Sequence, residues 1–160
     1  MPAKRKAAPR PKPLDAVALL KKDHQTVREL LGQFENASGA RRNKLAAQIE
    51  RELKVHTTIE EEIFYPAYRE ASRKKEDRKL FYEAVQEHHV VDLVLPEVSE
   101  GQDVEELKAK AKVLRELVEH HAKEEEKEMF PRAKKLLDRE ELLELGERLQ
   151  QRKLELMAGR

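Results

Sequence analysis

Apolar residues recur at alternating spacings of three and four along four stretches of this chain, and a histidine interrupts each stripe. The first stripe is Val17, Leu20, His24, Val27, Leu31 and Phe34. It predicts a helix that starts after Pro13 with Asp15 as N-cap, runs to about Asn36 and breaks at Ser38-Gly39. The second is Leu45, Ile49, Leu53, His56, Glu60, Ile63 and Ala67, on a helix from about Ala40 to Ala71 whose last turns Pro66 should loosen or bend. The third is Phe81, Ala84, His88, Val91, Leu95 and Val98, on a helix from about Asp77 to Ser99 with Pro96 in its last turn. The fourth is Leu107, Ala111, Leu114, Val118, His121, Glu125 and Met129, on a helix to about Leu137 that opens with the capping box Asp103-x-x-Glu106. A second capping box, Asp138-x-x-Glu141, starts a terminal helix ending near Met157. Its leucines 142, 145, 149 and 156 suit either a position across the bundle or a second chain.

Such seams belong to antiparallel helix packing. The expected fold is all-α: an up-down-up-down antiparallel four-helix bundle over residues 14–137, an additional C-terminal helix over 138–160, and a disordered basic tail over 1–13.

The pattern also repeats. His56-Thr-Thr-Ile-Glu60 returns 65 residues later as His121-Ala-Lys-Glu-Glu125, and a proline follows ten residues after the histidine in both copies. Asp23-His24 stands 32 residues before His56, and His88, preceded by Glu87, stands 33 before His121. The chain is thus a two-helix unit used twice, each bringing a lone histidine against a His-x-x-x-Glu pair. On a helix that pair shares one face, one turn apart. Register chooses within the doublets His88-His89 and His120-His121: His88 and His121 continue the seams, which leaves His89 and His120 at the margin or the surface.

Composition narrows the chemistry. With 41% charged residues, 4% aromatics and few glycines, the chain favours long helices laced with ion pairs. It has no cysteine, so disulfides, thiolate sites and iron–sulfur clusters are excluded and any metal rests on nitrogen and oxygen. Residues 1–13 hold four prolines, five basic side chains and no acid, which leaves 28 basic against 32 acidic residues in the body. That tail reads as a solubilising extension or, less specifically, an arm for nucleic acid; without aromatics it offers no stacking. No apolar run approaches the roughly 18 residues of a membrane span. A cytoplasmic protein, monomer or homodimer, is expected.

A lone histidine in an apolar seam is ordinarily a core residue satisfied by a carbonyl. Here all four helices carry one, and two add a glutamate. Two buried carboxylates without a cation cost several kcal/mol each, and no Lys or Arg falls on the seams at that level. Divalent cations supply the missing charge most simply. His24, His56, Glu60, His88, His121 and Glu125 are too many for a closed tetrahedral site. They suit two ions with two histidines each and Glu60 and Glu125 bridging, with positions left for a small ligand. Imidazole with carboxylate favours iron, with manganese and zinc as lesser candidates. No general base or nucleophile stands apart from this set, so no separate catalytic residue is identified.

These residues resemble the hemerythrin-like HHE cation-binding domain over about residues 14–137. The resemblance implies a non-haem centre of two iron ions with an oxo or hydroxo bridge, and functions among oxygen binding, sensing, nitric oxide handling and peroxide decomposition. The implied partner is a small diatomic or peroxide; the alternative is a sensor or iron-storage module without turnover. Oxygen-carrying hemerythrins of invertebrates place a further histidine four residues on in the third helix, where this chain has Asp92. Asp92 is therefore a candidate to join the set or to pair with Arg28. Phe64, Tyr65 and Tyr68, just past Glu60, read as packing residues rather than redox relays.

Overall fold

The computed structural model describes residues 12–101 and 103–160, so most of the expected basic tail lies outside the described residues. Helix α1 (Ala16–Glu35) starts where Asp15 accepts the Ala18 N–H at 2.8 Å. Helix α2 (Gly39–Ile59) continues through a wide π turn (Glu60–Phe64) into α3 (Tyr65–Ala71) as one rod. Helix α4 (Lys75–Val94) tightens into a 3-10 turn (Leu95–Ser99) at Pro96. Helix α5 (Val104–Glu124) passes through a second π turn (Glu125–Met129) into α6 (Phe130–Leu136), and α7 (Arg139–Met157) completes the chain. The described residues form no strand.

Two local expectations change. Asp103 caps α5 through the Glu105 N–H alone, without the reciprocal Glu106 contact of a capping box. The Asp138–Glu141 box does form, both bonds present at 2.8 and 2.7 Å. Helix α4 begins two residues before Asp77, because that carboxylate turns back to accept the Arg73 and Lys74 N–H groups.

The prolines do more than loosen their helices. Proline cannot donate to the carbonyl four residues back, and its ring crowds that carbonyl. The helix answers by widening: the Tyr65 N–H reaches the Glu60 carbonyl, and the Phe130 N–H reaches that of Glu125. A five-residue turn brings Tyr65 back over Glu60 and Phe130 back over Glu125, which α-helical spacing does not do. Both π turns start at a buried glutamate.

The apolar interior has two parts. One, at the proline end, gathers Leu20, Ile59, Phe64, Tyr68, Phe130 and Met129 with leucines 142, 145 and 149 of α7. The other holds Val27, Leu31, Phe34, Ile49, Leu53, Val91, Leu114 and Val118. The histidine and glutamate layer lies between them. The leucine stripe of α7 is spent within the chain, against α1 and α2, rather than on a second molecule. Burying each of those leucines contributes about 1.5–3 kcal/mol. Gly146 permits the approach, since a Cβ there would stand 2.1 Å from the Leu14 carbonyl oxygen. No described helix is long and apolar enough to cross a membrane.

Candidate metal centre

All six seam residues meet in the buried layer. His24, His56, Glu60 and Glu125 offer four atoms within 4.8 Å of one another, and Glu60, His88 and His121 offer three. Glu60, fully buried, belongs to both groups: its Oε1 is 3.1 Å from His56 Nε2 and its Oε2 is 2.9 Å from His88 Nε2. Glu125 Oε1 lies 3.3 Å from His24 Nε2 and 2.9 Å from His121 Nε2. Every imidazole therefore turns its Nε2 inward.

Three of the four outer nitrogens are held by acids, which the sequence reading missed. His56 Nδ1 is 3.2 Å from Asp23, His88 Nδ1 is 2.9 Å from Glu61, and His121 Nδ1 is 3.1 Å from Glu87. The fourth, His24 Nδ1, is 3.6 Å from Glu126, whose other oxygen is drawn to Arg28 at 2.7 Å. Within each half the acid before the lone histidine serves the paired histidine: Asp23 serves His56, and Glu87 serves His121. Across the halves, Glu61, the acid after Glu60, serves His88, whereas Glu126, the acid after Glu125, stands near His24 Nδ1 without bonding it. An ionised carboxylate only accepts, so it fixes the proton on Nδ1 and leaves the Nε2 lone pair pointing inward. The signal was present in the sequence, because each of these acids adjoins a seam residue in both copies of the repeat.

Tyr65 also enters the layer. Its hydroxyl donates to Glu60 Oε2 and Glu125 Oε2, each at 3.2 Å, and stands 3.0 Å from His88 Nε2. Its counterpart in the repeat is Phe130, which stacks on His24 with ring centroids 5.8 Å apart. The two halves thus match in nitrogen and carboxylate but differ here. Burial, with Glu125 and Glu60 alongside, holds the Tyr65 phenol well above its ordinary range. Tyr65 is therefore more than packing, and the π turn is the reason.

Other expectations are corrected. Asp92 is exposed and joins neither the layer nor Arg28; Arg28 pairs instead with Glu119 and Glu126. A cation does come near the layer, though from outside the four seams: Lys153 of α7 pairs with Asp23. His89 is exposed, and His120 reaches outward to Glu87 and Glu124. The Glu124 carboxyl is pushed up to about 7 by partial burial and by Glu83 and Glu87 beside it.

Beyond the imidazoles, away from the glutamates, lies a cavity of about 20 Å³ walled by Val27, Leu53, Val91 and Val118. A single water needs roughly 10–15 Å³. The space admits one small molecule.

Without a cation, the layer must balance itself by protonation. Burial alone would push His56 down, but Glu60 and Asp23 outweigh it and raise its pKa to about 10. His88 and His121 are raised too, against burial, by Glu60 and Glu61 and by Glu125, Glu60 and Glu87. Burial would raise Glu60, yet His56, His121 and His88 hold it well below its ordinary 4.5. The raised histidines stabilise the fold fully below their ordinary 6.5 and lose that contribution as pH climbs, for His56 through about 10. The depressed glutamate contributes above 4.5 and loses its share as pH falls below that value. The chelated protein is expected to melt at progressively lower temperature between pH 6.5 and 10. Thermal melts at fixed ionic strength check this; a midpoint that rises over that window contradicts it.

The hemerythrin HHE cation binding domain family model matches residues 15–133. Among solved structures, a hemerythrin HHE cation binding domain-containing protein from Mycobacterium kansasii is similar at 27% identity and a TM-score of 0.78, over 91% of this chain and 89% of that one. Comparison with curated proteins gives no significant match. A match over most of the chain, on a bundle whose repeated histidines and glutamates converge in one buried layer, carries the assignment: this protein belongs to the hemerythrin HHE cation-binding domain family.

Proposed function

We propose that this chain holds two iron ions in the buried layer and binds or reduces a small oxidant there, namely oxygen, peroxide or nitric oxide. One observation carries the reading. His24 Nε2, His56 Nε2, Glu60 Oε1 and Glu125 Oε1 are buried side-chain atoms without a hydrogen-bond partner, and they converge on one point. Leaving such atoms unpaired costs about 1–3 kcal/mol each, more for charged groups. Donors sharing an ion at about 2.1 Å stand roughly 3.0–3.4 Å apart. The His56–Glu60 and His24–Glu125 separations, 3.1 and 3.3 Å, fit that spacing.

His24 and His56 would hold one ion and His88 and His121 the other, with Glu60 and Glu125 between them. Iron supplies one-electron chemistry and open positions for a small ligand. The chain supplies the rest. Asp23, Glu61 and Glu87 keep protons on the outer nitrogens, Tyr65 holds one beside both glutamates, and the valine and leucine walls admit little besides a diatomic-sized molecule.

The test is iron loading without air, elemental analysis, then titration with oxygen, peroxide and nitric oxide watched by absorbance. Two irons per chain and a change in spectrum with at least one oxidant are expected. Full loading with a spectrum indifferent to all three would overturn the oxidant reading. Repeated peroxide additions separate turnover from a single response.

A further inference from the structure

The two halves of the chain align at an offset of 64 in α1 and α4 and of 65 in α2 and α5, which pairs the histidines and glutamates of the buried layer. Their outer faces do not. In the first half Leu19, Val55 and Ile59 are all buried, in one apolar cluster with the leucines of α7, and Lys153 of that helix neutralises Asp23. The matching positions in the second half are Glu83, His120, Glu124 and Glu87. They line a shallow open depression.

We propose that Glu87, His120 and Glu124, with Glu83 at the rim, bind a divalent cation and form the entrance through which ions reach the buried layer; the entrance role rests on the two-iron reading above. His120 Nε2 is 3.2 Å from Glu87 Oε2 and 3.3 Å from Glu124 Oε2, so three donors of metal-ligating type already converge. The two carboxylates are largely buried while the imidazole is exposed: their side chains are 21% and 22% accessible against 72%. Among the described residues, Lys79 pairs with Glu83, but no lysine or arginine pairs with Glu87 or Glu124. In the first half a cation fixed to α7 answers the outer carboxylate. In the second, a soluble cation takes that part. One imidazole with carboxylates suits Mn²⁺, Fe²⁺ or Zn²⁺.

Glu87 also joins this surface group to the interior. Its Oε2 faces His120 outside and its Oε1 stands 3.1 Å from His121 Nδ1 inside. On the cavity side the lining holds Thr57 and the imidazoles among valines and Leu53, but no carboxylate to draw an ion in. An ion gathered at the depression therefore stands one carboxylate away from His121.

The experiment uses iron-loaded full-length protein titrated with Mn²⁺. The free ion is read by electron paramagnetic resonance, and iron content is measured before and after. One further Mn²⁺ per chain, with iron unchanged, is expected for the parent. It should be lost in H120A/E124Q and kept in H89A, a control at an exposed histidine outside the group. Absence of extra uptake, uptake matched by iron loss, or equal uptake by H120A/E124Q would overturn the surface site. For the entrance role, the metal-free H120A/E124Q protein should take up Fe²⁺ several-fold more slowly than the parent to the same final content. An unchanged rate would reduce the group to an independent surface site and overturn that role. Circular dichroism before titration shows whether the double variant is folded; the single variant H120A, which cannot disturb buried packing, repeats the measurement. If the parent holds no iron, the two-iron reading fails by itself. The Mn²⁺ difference between parent and H120A/E124Q then still decides the surface site.

Discussion

Glu60→Gln is expected to remove tightly bound metal from the chain while leaving it folded. Glu60 is the only residue common to both groups of converging atoms, with one oxygen toward His56 and the other toward His88. An amide has nearly the same shape but no charge, and one of its two ends is a donor pointed at a cation. Losing a carboxylate that merely orients a metal-bound histidine costs about 10- to 100-fold in affinity. Losing the shared carboxylate should exceed the upper figure, which corresponds to about 2.7 kcal/mol. Glu61→Gln is the matched control, because Glu61 touches only the outer nitrogen of His88 and is half exposed. It should weaken binding by about tenfold. Metal content after equilibration with a graded series of chelators reads both values. Should the glutamine variant retain the parent's metal, the bridging assignment is wrong.

Gly146→Ala is expected to have the largest effect on stability for the smallest change in mass. The added methyl would lie 2.1 Å from the Leu14 carbonyl oxygen and 2.8 Å from the Asp15 carbonyl carbon. Both are backbone atoms at the start of α1, so neither can swing aside as a side-chain tip would. Either α7 lifts from α1 or the Asp15 cap is disturbed. Overpacking of this kind costs about 1–3 kcal/mol and occasionally more. In a domain of this size each kcal/mol lowers the melting temperature by about 2–4 °C. Gly32→Ala supplies the contrast. Gly32 lies within α1 with no atom near enough to meet a new methyl, so alanine should raise stability by about 0.5–1 kcal/mol. Opposite signs from one chemical change at two helical glycines is the expected result. Melts of both variants decide it, and a shared sign would refute the packing account of α7.

The charge of the buried layer explains why metal and pH enter together. Four imidazoles and two glutamates cannot all be neutral or all be charged at low cost. Protons on His56, His88 and His121 are the metal-free solution, and a cation is the other. Binding should therefore release protons, and affinity should fall as pH falls.

Much of this was legible from residue order alone. Histidine at one seam position in four amphipathic stretches, with glutamate four residues on in two of them, set the bundle, its connectivity and the six converging side chains. Seam periodicity also separated His88 and His121 from His89 and His120, since one step along a helix turns a side chain about 100° away. Three things had to wait for the folded chain. Tyr65 reaches the layer only because Pro66 forces a five-residue turn at Glu60, and α-helical counting directs that ring elsewhere. The leucines of α7 formed a stripe that would serve a second molecule as well as its own, and only docking, with Gly146 against Leu14, chose between them. Docking also divided the two halves: α7 covers the first outer face with leucines and Lys153, while on the second His120 stays exposed beside the partly buried Glu87 and Glu124. Helical periodicity is a local property and can be read along the chain. Which exposed face another helix covers is settled by packing between segments more than a hundred residues apart, as in the pairing of Lys153 with Asp23.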